Sequence, residues 1–176
     1  MTAIQPILKK TDKQFLFQVE LNWLTKQIGI LSANDVRGTV QIATPASFGG
    51  EGKEWSPEHF FLGSISSCFM TTYLTFAKKL QFEISRFECN TIGEIELKEG
   101  KYQFTRINIF PNIYIADDAF TENARLALEK TKKYCLVSNS INAEMIYHCE
   151  VIKDHYPRSS ARDNNTINSL YENVGI

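Results

Sequence analysis

Two of the four cysteines in this chain lie in contexts where a thiol could take part in chemistry. Cys68 lies in an apolar segment with helical periodicity, which shields a thiol from water but lets it meet an apolar substrate. Cys135 lies at the end of a second predicted helix. A thiolate oxidised by a peroxide becomes a sulfenate, and a second thiol can condense with it before further oxidation. If the two helices pack side by side, these cysteines form such a pair; otherwise both are small core residues.

Composition and charge narrow the classes of function. The 176 residues carry a net charge of -1 and no basic stripe, which argues against a nucleic-acid partner. No uninterrupted apolar run approaches membrane-spanning length and no signal peptide is visible, so we expect a cytoplasmic protein without a membrane partner. Structural disulfides are rare in that compartment. Because there is no Cys-x-x-Cys pair and the histidines are not grouped, we predict neither a metal site nor a cofactor.

The first part of the chain predicts an antiparallel meander and then a long helix. Residues 12–44 hold alternating apolar and polar runs separated by turn residues. The glycine-rich residues 45–55 predict a loop without regular structure. Ser56 and Pro57 predict the start of a helix that runs to about Leu80. Since apolar residues cover most of this helix, we expect a surrounding sheet or a second subunit to bury it.

The second part of the chain predicts a hairpin, a helix and a strand. Residues 82–98 and 101–115 alternate in polarity around a Glu-Gly turn. Asp117 or Asp118 is expected to cap a helix that ends near Tyr134, and one last strand begins at Glu144. This order predicts an α+β fold rather than a βαβ alternation. We expect a single domain over 1–156 and a polar C-terminal tail over 157–176.

Several short motifs occur in a characteristic order along the chain: Thr44-Pro45, Gly49-Gly50, Ser56-Pro57-Glu58, Cys68 and Cys135-Leu136-Val137-Ser138. Together they resemble the OsmC/Ohr family of osmotically inducible and organic-hydroperoxide-resistance proteins, and the resemblance covers roughly residues 12–153. The resemblance implies an OsmC-like fold in which antiparallel sheets wrap around two central helices of an intertwined homodimer. It also implies a cysteine-based peroxidase that reduces organic hydroperoxides and is itself reduced by a small dithiol or a lipoylated protein.

The resemblance assigns roles to three residues by matching positions. Cys68 would be the peroxidatic cysteine, Cys135 the resolving cysteine and Glu58 the active-site carboxylate. Ten residues of straight helix place Glu58 about 15 Å from Cys68, so Glu58 would serve the partner subunit's cysteine unless the helix breaks, for example at Gly63.

The arginine that usually stabilises the thiolate in this family has no secure counterpart here. The candidate cations are Lys53, Arg37 and Lys26, in that order. The alternative function is therefore a non-enzymatic OsmC-like module that binds a hydrophobic ligand in the dimer pocket. Cys89 and Cys149 lie on predicted strands and are most simply structural.

Overall fold

A computed structural model describes residues 14–155 of this protein. The chain divides between Pro57 and Glu58 into two compact units. The predicted tail over 157–176 lies outside the described residues, so its structure is not addressed.

The first unit contains a three-stranded antiparallel meander, as predicted. Its strands are β1 (Glu20–Thr25), β2 (Ile28–Ser32) and β3 (Val40–Ala43), in the spatial order β1-β2-β3. The turn between β1 and β2 places Lys26 in the left-handed region at φ 48°, and the indole of Trp23 donates to its carbonyl at 2.9 Å. Every residue of β1 is exposed, so this unit by itself covers neither face of that strand.

The loop after β3 is more ordered than the sequence predicted. Residues Ala46–Phe48 form a short 3-10 turn, so the expectation of no regular structure was wrong for these residues. A Cβ added at Gly50 would lie 1.7 Å from the Thr44 carbonyl oxygen, which means that only glycine fits this close approach. The loop returns to the sheet where the Ala43 amide donates to the Trp55 carbonyl at 2.9 Å.

Helix α1 (Pro57–Lys79) continues without a break through Gly63. Within one chain it buries a single stripe at four-residue intervals, and this stripe faces the core of the second unit. The stripe consists of Ile65, Phe69, Tyr73 and Ala77. If a sheet of the same chain surrounded α1, the helix would be buried on nearly all sides within one chain. Only one stripe is buried, so a surrounding sheet alone does not cover this helix.

An 18-residue window of α1 has a mean hydropathy of 1.3, so this helix is long and apolar enough to cross a membrane. Polar residues such as Ser66, Ser67 and Thr71 interrupt the apolar residues of this helix, so the prediction of no uninterrupted apolar run of that length is not contradicted. A core helix of a soluble protein passes the same test of length and composition.

The predicted hairpin is present in the second unit. Strands β4 (Arg86–Lys98) and β5 (Lys101–Ile115) pair in antiparallel register. Glu99 and Gly100 occupy the turn with φ values of 52° and 76°, the positive pair that a tight hairpin turn with the right twist requires. Inward side chains of β5 are buried in alternation, which gives one face of the sheet to the core.

The second sheet is mixed, which corrects the prediction of antiparallel sheets. Helix α2 (Thr121–Tyr134) follows a 3-10 turn capped by Asp117, whose carboxylate accepts from the Ala119 amide at 2.9 Å. The chain then returns as a crossover, so β6 (Glu144–Tyr147) and β7 (Glu150–Lys153) run parallel to β5.

The last predicted strand is split into β6 and β7, although both keep the same register against β5. The interruption at His148 and Cys149 lies beside Pro111 of β5. Proline has no amide hydrogen, so the ladder loses one hydrogen bond at this point. The sequence pattern carried no sign of this cross-strand effect.

One apolar core joins the elements of the second unit. The stripe of α1 meets buried isoleucines of β5 and the small inner face of α2. The Tyr73 hydroxyl donates to the Ala124 carbonyl at 3.4 Å, which links α1 directly to α2. The fold therefore holds the two helices that carry Cys68 and Cys135 against each other.

Candidate active site

Cys68 lies in the middle of α1, one residue before the buried Phe69. Its side chain is half-buried and packs against the core cluster. The Cys68 sulfur lies 4.0 Å from the Thr72 hydroxyl, one helical turn further along. The thiol is therefore shielded on the core side and retains partial access from outside.

Cys135 ends α2 and is fully buried. Its amide donates to the Thr131 carbonyl at 2.9 Å, after which the backbone becomes extended. The Cys68 side chain lies close enough to Cys135 to act on the ionisation of the Cys135 thiol. The structure thus brings together, within one chain, the two thiols that the sequence placed on separate helices.

The environment of Cys135 favours the neutral thiol. Burial raises the pKa of Cys135, and the neighbouring Cys68 raises it further. Hydrogen bonds from the hydroxyl and the backbone amide of Ser138 act in the opposite direction and lower the pKa of Cys135. The distance from Ser138 Oγ to Cys135 Sγ is 3.2 Å.

Ser138 and Tyr147 lie near Cys135, and the sequence alone did not single them out. Burial raises the pKa of Tyr147, whereas the neighbouring Ser138 hydroxyl lowers it. The Cys-x-x-Ser spacing was visible in the sequence, and a turn after the helix end would have placed the serine beside the cysteine. The role of Tyr147 had no such local signal, because it comes from a different element.

Glu58 lies in the first turn of α1 and is half-buried. Its Oε2 atom is buried and has no hydrogen-bond partner among the described residues. Because α1 is unbroken, Glu58 stays about 15 Å along the helix from its own chain's Cys68. The structure does not bring this carboxylate together with that thiol.

The family model for OsmC-like proteins matches residues 50–148, a span that contains Glu58, Cys68 and Cys135. The chain belongs to the OsmC-like family. The resemblance inferred from the sequence motifs is thereby confirmed.

Individual relatives of this OsmC-like protein are distant in sequence. The uncharacterized protein YmaD of Bacillus subtilis is 19% identical over 132 residues, which span 73% of this chain and 88% of YmaD. An OsmC-like protein of unknown function from Vibrio cholerae has a TM-score of 0.65 at 16% identity, covering 79% of this chain and all (100%) of that one. An organic hydroperoxide resistance protein from Elizabethkingia anophelis has a TM-score of 0.64 at 16% identity, and the match covers 82% of this chain and 100% of that one. These structures share the OsmC-like fold.

The candidate cations lie in the first unit. Lys26 forms an exposed ion pair with Glu51 at 3.6 Å, and Lys26 and Lys53 line the same pocket of that unit. Among the described residues of the second unit, the side chains shown beside the Cys68 sulfur are those of Thr72 and Cys135, and neither carries a positive charge.

The remaining cysteines of this OsmC-like protein flank β5 on the core side. Cys89 lies on β4 and pairs with Pro111 of β5. Cys149 lies on the other side of that proline, between β6 and β7. Burial raises the pKa of Cys89 and raises the pKa of Cys149 to about 11. Such thiols stay protonated and unreactive at neutral pH. Among the described residues, no group of three His, Cys, Asp or Glu side chains is placed to hold a metal ion.

Proposed function

We propose that this OsmC-like protein is a thiol-dependent peroxidase that reduces organic hydroperoxides, with Cys68 as the peroxidatic and Cys135 as the resolving cysteine. The observation that carries the proposal is the proximity of these two thiols, one half-buried and one fully buried, in the core of one chain. A relative of the same fold is named an organic hydroperoxide resistance protein.

The chemistry runs in three balanced steps. The Cys68 thiolate attacks one oxygen of the hydroperoxide, the O–O bond breaks, and the alcohol leaves with a proton while Cys68 becomes a sulfenic acid. Cys135 then attacks the Cys68 sulfur, which forms the disulfide and releases water. A dithiol, either small or carried on a lipoylated protein, reduces the disulfide by exchange and becomes a disulfide itself.

We propose an organic peroxide rather than hydrogen peroxide as the substrate, because Cys68 lies on a helix rich in apolar side chains. The partly buried apolar side chains of α1 that pack against the same core as Cys68 include Phe61, Leu62 and Phe76. Contact between an alkyl group and such a surface is favourable, whereas hydrogen peroxide has no apolar part to bury.

We therefore expect the purified protein to consume tert-butyl hydroperoxide in the presence of dithiothreitol, with kcat/KM at least about tenfold higher than for hydrogen peroxide. Peroxide loss measured against a protein-free blank checks this expectation. Equal or faster turnover of hydrogen peroxide would contradict the proposed substrate class. No turnover of either peroxide would contradict the enzymatic proposal.

We also propose a homodimer. The strand β1 is exposed on both faces within its unit, with Leu21 at 58% and Trp23 at 74% exposure. Helix α1 buries only one stripe, and the orphaned Oε2 atom of Glu58 needs a donor that its own chain does not supply among the described residues. A second copy offers both apolar cover and a donor.

Sedimentation equilibrium at micromolar concentration should give twice the chain mass of 20.1 kDa. The dimer should persist on dilution until the protein unfolds, because exposed apolar surface of this extent is unfavourable for a free monomer. A folded and stable monomer at that concentration would contradict the proposal. Circular dichroism on the same samples distinguishes a folded monomer from an unfolded one.

A second candidate function is a module that binds a hydrophobic ligand without chemistry. It is favoured by the neutral partners of Cys68 in its unit, since they do not supply the positive charge that a reactive thiolate uses. A lipophilic fluorescent probe that binds with equal affinity to wild type and Cys68→Ser, together with no peroxide turnover, would support this candidate over the peroxidase.

A further inference from the structure

The resolving thiol is hydrogen-bonded to a buried serine that lies beside a tyrosine of β6. Ser138 Oγ donates to Cys135 Sγ at 3.2 Å, and Ser138 lowers the pKa of Cys135. Tyr147 is the neighbouring tyrosine, and the Ser138 hydroxyl also lowers the pKa of Tyr147. We propose that Ser138, held by Tyr147, is a positioning residue that prepares the Cys135 sulfur for attack on the oxidised Cys68. This inference rests on the proposed peroxidase function and deepens it.

The Ser138 hydroxyl has a single proton, and Ser138 directs it to the Cys135 sulfur. The Tyr147 hydroxyl lies close enough to this serine for Ser138 to lower the pKa of Tyr147. Tyr147 therefore limits the space in which the Ser138 hydroxyl can turn and favours its hydrogen bond to Cys135.

Cys135 depends on these donors because it is fully buried and water does not reach it. Donors aimed at the sulfur stabilise the thiolate, which is the attacking form. The other groups near Cys135 do not stabilise its thiolate directly. Cys68 raises the pKa of Cys135 and so disfavours the thiolate. Lys132 is hydrogen-bonded to Glu129 at 2.7 Å and lies over the Tyr147 ring rather than at the sulfur.

The surrounding elements hold Ser138 and Tyr147 in place. Ser138 is 7% exposed and begins a 3-10 turn, in which the Asn139 amide donates to the Cys135 carbonyl at 3.1 Å. The Tyr147 ring centroid lies 5.8 Å from that of Phe69, and Lys132 Nζ lies 5.8 Å from the Tyr147 ring. The hydroxyls of Ser138 and Tyr147 are therefore fixed by the turn and by ring packing before any oxidation occurs.

In the resolving step the Cys135 thiolate donates an electron pair to the Cys68 sulfur. The S–S bond forms as the S–O bond of the sulfenic acid breaks, and the departing hydroxide takes up the proton released when Cys135 ionised, forming water. Ser138 and Tyr147 keep their own protons throughout. No oxidant is needed beyond the hydroperoxide that produced the sulfenic acid.

The test compares Ser138→Ala and Tyr147→Phe with Ser140→Ala as a matched control. Ser140 lies in the same 3-10 turn, but it is exposed and donates to the Leu136 carbonyl at 2.8 Å, away from the thiols. One equivalent of tert-butyl hydroperoxide is added to the reduced full-length protein. Quenched samples are analysed by mass spectrometry for the sulfenic acid, trapped with dimedone, and for the Cys68–Cys135 disulfide.

Ser138→Ala should slow the conversion of sulfenic acid to disulfide about tenfold, since a hydrogen bond to a charged group is lost. Tyr147→Phe should slow the same step about threefold, because only the hydroxyl beside Ser138 is lost and the ring remains. Formation of the sulfenic acid should change by less than about twofold in both variants, and Ser140→Ala should match wild type in both steps. If Ser138→Ala does not fold, Tyr147→Phe carries the test.

The inference is overturned if the folded variants form the disulfide at the wild-type rate, or if Ser140→Ala slows it equally. A wild type that forms no sulfenic acid contradicts the proposed peroxidase instead. In that case the Cβ chemical shift of isotope-labelled Cys135 is titrated by NMR in a Cys68→Ser background. Ser138→Ala should then raise the pKa of Cys135, and an unchanged titration overturns the positioning role.

Discussion

Cys68→Ser should reduce peroxide consumption by at least about a thousandfold, because a serine hydroxyl at neutral pH is not a nucleophile toward the O–O bond. Cys135→Ser should behave differently, since Cys68 remains able to react. We expect it to consume the first equivalent of hydroperoxide at close to the wild-type rate. With excess peroxide it should then lose activity through oxidation of Cys68 to the sulfinic acid, because the condensing thiol is absent.

The two cysteines outside the pair provide the controls for this experiment. Cys89→Ser and Cys149→Ser each remove a protonated thiol outside the Cys68–Cys135 pair, so turnover should stay within about twofold of wild type. Steady-state assays and intact-mass measurements after one and ten equivalents of peroxide distinguish the cases. Residual turnover in Cys68→Ser, or a Cys135→Ser protein that resists over-oxidation, contradicts the assigned roles.

Phe69→Ala should lower the free energy of unfolding by about 3–5 kcal/mol, the typical cost of deleting a buried aromatic ring. Phe69 is fully buried on α1 and packs its ring against Tyr147 of β6, so the cavity would lie between two elements that fix the site. Close packing of a core leaves little room for the neighbours to collapse into that space.

Chemical denaturation at one fixed protein concentration measures this effect, since association would otherwise shift the midpoint. Leu126→Ala is the matched control because Leu126 lies on α2 and is 46% exposed. Leu126→Ala should lower the free energy of unfolding by less than about 1 kcal/mol. A loss below that limit for Phe69→Ala would show that this ring is not part of the close-packed core.

Local signals in the sequence predicted most of the elements of this fold. The proline after Ser56 marked the start of α1, and the Glu99-Gly100 turn marked the hairpin, because both depend on the backbone preferences of adjacent residues. The parallel return of β6 and β7 was missed. It depends on where the chain lies after α2, and no local residue preference encodes that position.

For the candidate site, the sequence by itself determined which residues are chemically capable: two thiols on helices, and a carboxylate at the start of α1. Only the tertiary structure decided that Cys68 and Cys135 lie close together, and that the unbroken α1 keeps Glu58 apart from the cysteine of its own chain. It also placed Tyr147 behind Ser138. The physical reason is the same in each case. Residue type and spacing determine reactivity and helix geometry, whereas contacts between α1, α2 and β6 arise from packing one shared core.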